Sequence, residues 1–302
     1  MSWSVCALYR FTRLEDRPAL RASLQALCES QDVCGTLLLA PEGINGTIAG
    51  RPERLGGVVD ALDARLNIRA GEVKFSTAAE KPFNRMKVRL KKEIITMRAP
   101  EADPTERVGA YIAPADWNAL ISDPEVTVID TRNDYETKLG TFEGAIDPNL
   151  STFTDFKDFV ARELDPAKHK KVAMFCTGGI RCEKASSYML AHGFEQVFHL
   201  RGGILKYLEE IPAADSRWQG DCFVFDHRVS IGNGLTQTDW AVCFGCRAPL
   251  SVADRAHPAY EPGVCCPHCI DQLTPARERS LRERQRQFAA RAVAPAPKSS
   301  AD

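Results

Sequence analysis

The sequence predicts a chain of α/β class combined with α+β, built in three parts, and three patterns predict it. Residues 1–98 carry strand and helix patterns in the order β-α-β-β-α-β. Residues 110–214 alternate short apolar runs with amphipathic helices, as in a parallel sheet covered on both faces. Residues 215–275 are polar and cysteine-rich, with two Cys-x2-Cys pairs.

A length of 302 residues allows two or three domains. Hydrophobic residues at 44% and charged residues at 26% give an ordinary globular balance. The formal net charge of −1 confines any nucleic-acid surface to a local patch. No run of about 18 apolar residues occurs, so no membrane span is expected. Met1 to Val5 shows neither the basic region nor the apolar core of a secretory leader. Eleven cysteines in so long a chain point to metal and redox chemistry in a reducing cytoplasm rather than to a disulfide scaffold.

In the front part, Val5 to Phe11 reads as a strand, and Asp16 with Pro18 opens a helix whose Leu20, Leu24, Leu27 and Cys28 share a face. Val33 to Leu39 is a buried strand. Pro41 to Gly46 is expected to turn, Asn45-Gly46 being a hairpin dipeptide, with Thr47 to Ala49 returning as a strand. Pro52 starts a second helix with Leu55, Val58, Val59, Leu62 and Leu66 inward. Glu72 to Ser76 and Met86 to Leu90 are strand-like. This order resembles a ferredoxin-like, acylphosphatase-type sandwich. On the last strand Met86, Val88 and Leu90 alternate with Arg85, Lys87, Arg89 and Lys91, giving one apolar face and one row of cations. The row suits a nucleic-acid phosphate backbone, or equally a sheet edge protected by charge. Residues 99–109, polar and with two prolines, read as a linker.

In the middle part, Pro114 opens a helix, Glu125 to Ile129 is a strand ending at Asp130-Thr131-Arg132, and Phe153 to Leu164 is helical. Val172 to Phe175 is a buried strand with Cys176 at its carboxyl end. Thr177, Gly178, Gly179, Ile180 and Arg181 follow, and a helix pattern begins by Cys182. A loop of this kind favours an anionic sulfur. The helix's first amides have no internal partners, its dipole is positive there, and the glycines let N–H groups turn inward. Arg181 adds a fixed charge. Such surroundings lower a thiol pKa from about 8.5 to roughly 3.5–7.5. Gln196 to Leu200 is the next strand, followed by Arg201-Gly202-Gly203 and a helix through Glu210. Cys176, Asp130 and Arg201 all follow strand ends and should gather on one rim.

The segment Cys176-x4-Arg181 resembles the rhodanese loop C-x-G-G-x-R, and Asp130-Thr131-Arg132, Gly144-Ala145-Ile146 and Leu200 to Ile204 resemble the other rhodanese signatures in order. Cysteine-dependent phosphatases use a wider Cys-x5-Arg loop, so phosphatase chemistry is not expected. Asp130 and Arg132 are read as loop support through charge-assisted hydrogen bonds, and Cys182 as a resolving thiol or a packed helix residue.

In residues 215–275, Cys243-x2-Cys246-x19-Cys266-x2-Cys269 has the spacing of a four-thiolate structural zinc site, with Cys265 and His268 as rival fourth ligands. Cys222 is expected in a buried strand. Residues 276–302 read as a charged helix to Arg291, for nucleic acid or simply solvated, then a disordered tail from Ala292.

The whole assembly resembles the bacterial rhodanese-type tRNA uridine hydroxylases, from about residue 5 to residue 285. The resemblance implies oxygen-dependent formation of 5-hydroxyuridine at the wobble position, with molecular oxygen as cosubstrate, the tRNA anticodon loop as partner and Cys176 as the essential cysteine. No nicotinamide or flavin fingerprint is present. A persulfide sulfurtransferase served by a sulfur-carrier protein, and a non-catalytic RNA-binding zinc scaffold, are the other readings. The enzymatic ones require the Cys176 sulfur to be held, charged and reachable.

Overall fold

The computed structural model describes residues 2–293, which form two compact units, one through Thr238 and one from Asp239 onward. In the first unit, β1 (Trp3–Phe11), α1 (Arg17–Ser30), β2 (Cys34–Ala40), β3 (Gly43–Gly50), α2 (Pro52–Leu66), β4 (Glu72–Ala78) and β5 (Met86–Leu90) make the front domain. The sheet order is β4-β1-β3-β2-β5. The first four strands pair antiparallel, and β5 extends the sheet by pairing parallel to β2. Asp16 caps α1 by accepting the Ala19 amide at 3.2 Å. Leu24 and Cys28 of α1 and Leu55, Val58, Val59 and Leu62 of α2 are buried against one face of the sheet, in one core with Leu8, Leu37 and Ile48.

One turn lies elsewhere than the sequence suggests. Ala40 pairs with Gly43, so the hairpin bends at Pro41-Glu42. Asn45 and Gly46 sit in mid-strand opposite Leu38 and Leu37. The Asn45 amide donates to the Ile94 carbonyl at 2.9 Å, a long-range bond that a local turn rule cannot see.

The segment read as a polar linker is in fact packed. Met97, Ala99 and Ala102 are buried in the core of the middle domain, beside Cys176 and Cys182. That domain comprises β6 (Ala110–Ile112), α3 (Pro114–Ile121), β7 (Val126–Asp130), α4 (Asp134–Thr137), β8 (Gly140–Phe142), α5 (Phe156–Glu163), β9 (Lys171–Phe175), α6 (Ile180–Ala191), β10 (Gln196–Leu200) and α7 (Gly203–Glu210). Its four-stranded sheet, β6-β10-β9-β7, is parallel throughout. Apolar clusters cover both of its faces, which is why β9 reads as an unbroken hydrophobic run.

Residues 215–238 belong to this unit. β11 (Trp218–Gly220) pairs with β8, and β12 (Cys222–Phe223) pairs with β13 (Ser230–Ile231). Trp218, Cys222, Val224 and Ile231 enter the same core as Phe142 and Phe175. The cysteine-rich unit starts only at Asp239, with β14 (Ala241–Val242), β15 (Pro249–Leu250), α8 (Val252–Ala256) and α9 (Pro275–Val293). The expected disordered tail lies, from residue 294, outside the described residues.

A buried cation joins the front domain to α6. Lys184 Nζ donates to both Glu42 oxygens at 3.0 and 2.8 Å, to Glu93 at 2.6 Å and to the Ile95 carbonyl at 3.1 Å. Its side chain is 2% exposed and the two carboxylates about one-fifth exposed. Removing one partner of a buried ion pair costs about 3–5 kcal/mol, and the partial exposure points to the lower end. Lys184→Met should therefore lower the unfolding free energy by about 3 kcal/mol in urea titration. A loss below about 1 kcal/mol would mean that the carboxylates simply re-solvate.

Candidate active site

The strand β9 delivers Cys176 to the start of α6, and the backbone between them turns its donors on the sulfur. The Gly179 amide, at φ +104°, donates to Cys176 Sγ at 3.1 Å. The loop's carbonyls are held from the other side: Ile204 N donates to Cys176 O and Leu205 N to Thr177 O, both at 3.0 Å. Gly203 makes this approach feasible. A Cβ there would lie 2.5 Å from Cys176 O and 2.8 Å from Gly179 N. The Arg201-Gly202-Gly203 signature thus serves the cysteine loop, although it follows a different strand.

Arg181 does not contact the sulfur directly. Its guanidinium grips Glu136 with two bonds, NH1–Oε2 at 2.6 Å and NH2–Oε1 at 2.8 Å, and touches Thr177 Oγ1 at 3.3 Å. Glu136 is fully buried. Burial pushes its carboxyl up, but the charges of Arg181 and Arg132 hold it below the usual range. Asp130 and Arg132 stand one step further out. Arg132 Nε and NH2 meet the two Asp130 oxygens at 2.9 and 2.6 Å, and NH1 donates to the Glu136 carbonyl at 3.3 Å. They touch the turn that carries Glu136 rather than the cysteine loop.

Glu136 escaped the sequence reading. Its signal was the capping box at α4, where Asn133 and Glu136 sit three apart and the Asn133 amide donates to Glu136 Oε2 at 3.2 Å.

Burial by itself would raise the Cys176 thiol. The Cys182 thiol, the Arg181 charge and the amides of Cys182 and Gly179 outweigh it and bring the sulfur down to about 5. Cys182 moves the other way, well above the ordinary thiol range, through burial and the adjacent Cys176 charge. Its sulfur also lies 3.4 Å from Thr131 Oγ1. Cys176 is thus held, with its thiol drawn toward the anion, yet it is 0% exposed, against the expectation of a reachable sulfur. Front-domain side chains lie over the loop. Lys74 Nζ donates to the Gly178 carbonyl at 3.0 Å, and the Tyr9 hydroxyl sits 2.7 Å from where a Gly179 Cβ would be.

In the second unit the four expected cysteines come together. The sulfurs of Cys243, Cys246, Cys266 and Cys269 all lie within 4.8 Å of one another. Cys243–Cys269, Cys246–Cys266 and Cys266–Cys269 measure 3.9, 3.7 and 3.8 Å. A tetrahedron with Zn–S bonds of about 2.3 Å has edges of about 3.8 Å, so the cluster can hold such an ion. The rivals are engaged elsewhere: Cys265 Sγ points to Ala259 O at 3.4 Å, and His268 pairs with Asp254 at 2.9 Å.

The rhodanese-like domain model matches residues 113–210, and the UPF0176 acylphosphatase-like domain model matches residues 3–94. The tRNA uridine(34) hydroxylase of Teredinibacter turnerae is 53% identical over 284 residues, covering 94% of this chain and 88% of that protein. That of Mesorhizobium japonicum is 54% identical over 283 residues, covering 94% and 92%. The chain belongs to the tRNA uridine(34) hydroxylase family. Among solved structures, a rhodanese-related protein from Thermoplasma volcanium is 25% identical and covers 33% of this chain and 92% of its own, with a TM-score of 0.29.

On edge strand β5, Arg85, Arg89 and Lys91 are exposed and Lys87 is half-buried. Helix α9 packs on the cysteine unit through Leu281, and Arg282 and Arg284 bond within that unit. Arg284 donates to Phe244 O at 2.8 Å, and Arg282 reaches Glu261 at 2.8 Å. Arg291 lies among residues whose side chains are not described.

The charge on Cys176 is directly measurable. In wild-type protein the ultraviolet thiolate absorbance should titrate near about 5 and be missing from Cys176→Ser. Cys182→Ala removes one hydrogen bond to the anion and should move the midpoint up by about one unit. A wild-type midpoint above about 8 would mean that burial wins.

Proposed function

We propose that this chain hydroxylates the wobble uridine of tRNA, U34, to 5-hydroxyuridine, and that Cys176 is the attacking thiolate. The observation that carries the reading is the charged sulfur under the Gly179 amide, in a chain more than half identical to named tRNA uridine(34) hydroxylases across nearly its whole length. A thiolate adding to C6 of uracil makes C5 nucleophilic, and C5 is the carbon to be oxygenated. Molecular oxygen, implied by the resemblance, supplies that atom; its other oxygen leaves as water, and the two electrons come from Cys176 and the hydrogen-bonded Cys182, which end as a disulfide once the base is released. Pyrimidine chemistry needs an unstacked base, which the anticodon loop offers at low cost. The exposed cations of β5 are a surface for the tRNA backbone. Such a substrate places the protein in the cytoplasm, and among the described residues no helix is long and apolar enough to cross a membrane.

The test is nucleoside mass analysis of tRNA from a strain lacking this gene and complemented with wild type or Cys176→Ser. The variant should accumulate as folded protein and restore no 5-hydroxyuridine. Restoration by the variant would sink the assignment to Cys176. If the deletion removed a thiolated nucleoside instead, the chain would be a sulfurtransferase fed by a sulfur-carrier protein, the chemistry that its short Cys-x4-Arg loop also suits.

We further propose a structural zinc ion on Cys243, Cys246, Cys266 and Cys269. Four thiolates and no open position suit a closed site, whose ion contributes to folding rather than to chemistry. Purified protein should contain about one zinc per chain. Cys266→Ser should lose it and the amide-exchange protection of residues 241–287, whereas Cys265→Ser should keep both. Equal zinc in the two variants would refute this ligand set.

A further inference from the structure

A polar cavity lies in the seam between the front and middle domains, with Tyr9 between it and the cysteine loop. Its volume is about 430 Å³, within the range of small-ligand sites, and its lining includes Tyr9, Phe11, Tyr111, Glu183 and Arg201. Glu183 is only 7% exposed. It accepts the Tyr9 hydroxyl at 2.6 Å and a hydrogen bond from Tyr111. The Arg201 guanidinium lies 5.6 Å from the Tyr111 ring centre, and Arg201 is exposed at the edge. Tyr9 connects the cavity to the sulfur, because its hydroxyl stands over Gly179, whose amide touches Cys176.

Aromatic walls, a cation at the rim and a buried carboxyl are the complement of one unstacked nucleotide: rings for the base, a guanidinium for the phosphate, an acid–base group for the ring. We propose that this cavity receives the target uridine nucleotide, with Arg201 on its phosphate and Glu183 as the catalytic base that takes the C5 proton. The proposal rests on the hydroxylase reading above. Its step follows placement of oxygen on C5, with Cys176 still bonded to C6. The C5–H bond breaks and its electron pair forms the C5–C6 double bond. The C6–S pair returns to Cys176 as thiolate, and the proton passes to the Glu183 carboxylate. No oxidant or reductant is consumed in this step.

The titration of Glu183 agrees. Burial pushes it up, the Tyr9 and Tyr111 hydroxyls and Lys74 oppose, Glu72 adds to the rise, and it comes to about 7. A base of that pKa is half-ionised near neutrality, where general-base catalysis is most effective.

The experiment uses the full-length protein, tRNA from the deletion strain and a synthetic anticodon stem-loop with uridine at the wobble position. Wild-type hydroxylation should rise with pH through about 7. Glu183→Gln should bind the stem-loop as wild type does, hydroxylate roughly 10²-fold more slowly and lose that pH limb. Arg201→Ala should weaken stem-loop binding about tenfold and flatten its salt dependence. A Glu183→Gln enzyme with the wild-type rate and pH profile overturns the base assignment, and unchanged binding by Arg201→Ala overturns the nucleotide site. If wild type makes no 5-hydroxyuridine, the hydroxylase reading and the base assignment fall together, while weakened binding by Arg201→Ala still supports the cavity as a nucleotide site.

Discussion

The bidentate bond between Arg181 and Glu136 is the contact on which the cysteine loop depends. Both partners are out of water, where an isolated charge would be prohibitively costly. The pair is tolerable because it is one link in a series of alternating sign. Asp130 binds Arg132, Arg132 reaches the Glu136 turn, Glu136 binds Arg181, and Arg181 lies near the Cys176 sulfur. Count from the Asp130 end and each positive group sits between two negative ones. The four side chains sum to zero, so an anionic sulfur at the inner end adds one negative charge, which the Gly179 and Cys182 amides and the nearby Arg181 offset.

Burying that anion has a chemical consequence. In a water-free pocket, fixed donors act on a thiolate far more strongly than they would at the surface. The same dryness closes off the substrate. Tyr9 and Lys74 of the front domain cover the loop, and Lys184 ties Glu42 and Glu93 to the helix that begins there. The front domain thus walls the cysteine loop, and any group approaching the sulfur must displace or pass its side chains. This distribution of labour explains why a rhodanese-like loop, suited by itself to a single sulfur atom, is joined here to a second domain with aromatic and cationic side chains.

What the sequence disclosed was local. The β9-loop-α6 unit, the β5 alternation and the Cys-x2-Cys pairs are all written within a few dozen residues. The contacts that complete the site span longer distances: Tyr9 to Glu183, Glu42 to Lys184, Glu136 to Arg181. None leaves a periodic signature. Hydrophobic pattern cannot tell a charge buried with a partner, as Lys184 and Glu183 are, from one in water. Asn45-Gly46 misled for the same reason: its turn propensity is real, but pairing with β1 and β2 on both sides outweighs it. The segment 215–238 looked like the approach to the metal site because it is polar and short of regular structure. Trp218 and Cys222 assign it to the middle domain, a matter of packing that composition does not encode.

The cysteine unit shows the opposite case, in which sequence spacing nearly determines structure. Its apolar core is small: Leu250, Val264 and Leu281 with the cysteines themselves. So few aliphatic groups bury too little area to order fifty residues by the hydrophobic effect. Four sulfurs within 4.8 Å of one another can hold a cation, whose charge would offset the repulsion between thiolates. The arginines of α9 fit that account. Those that bond to Phe244 O and Glu261 brace the loops presenting the cysteines, which binds the charge of the helix to the unit's own architecture. A run of arginines in sequence is therefore weak evidence for a nucleic-acid surface until the carbonyls and carboxylates already occupying them have been counted.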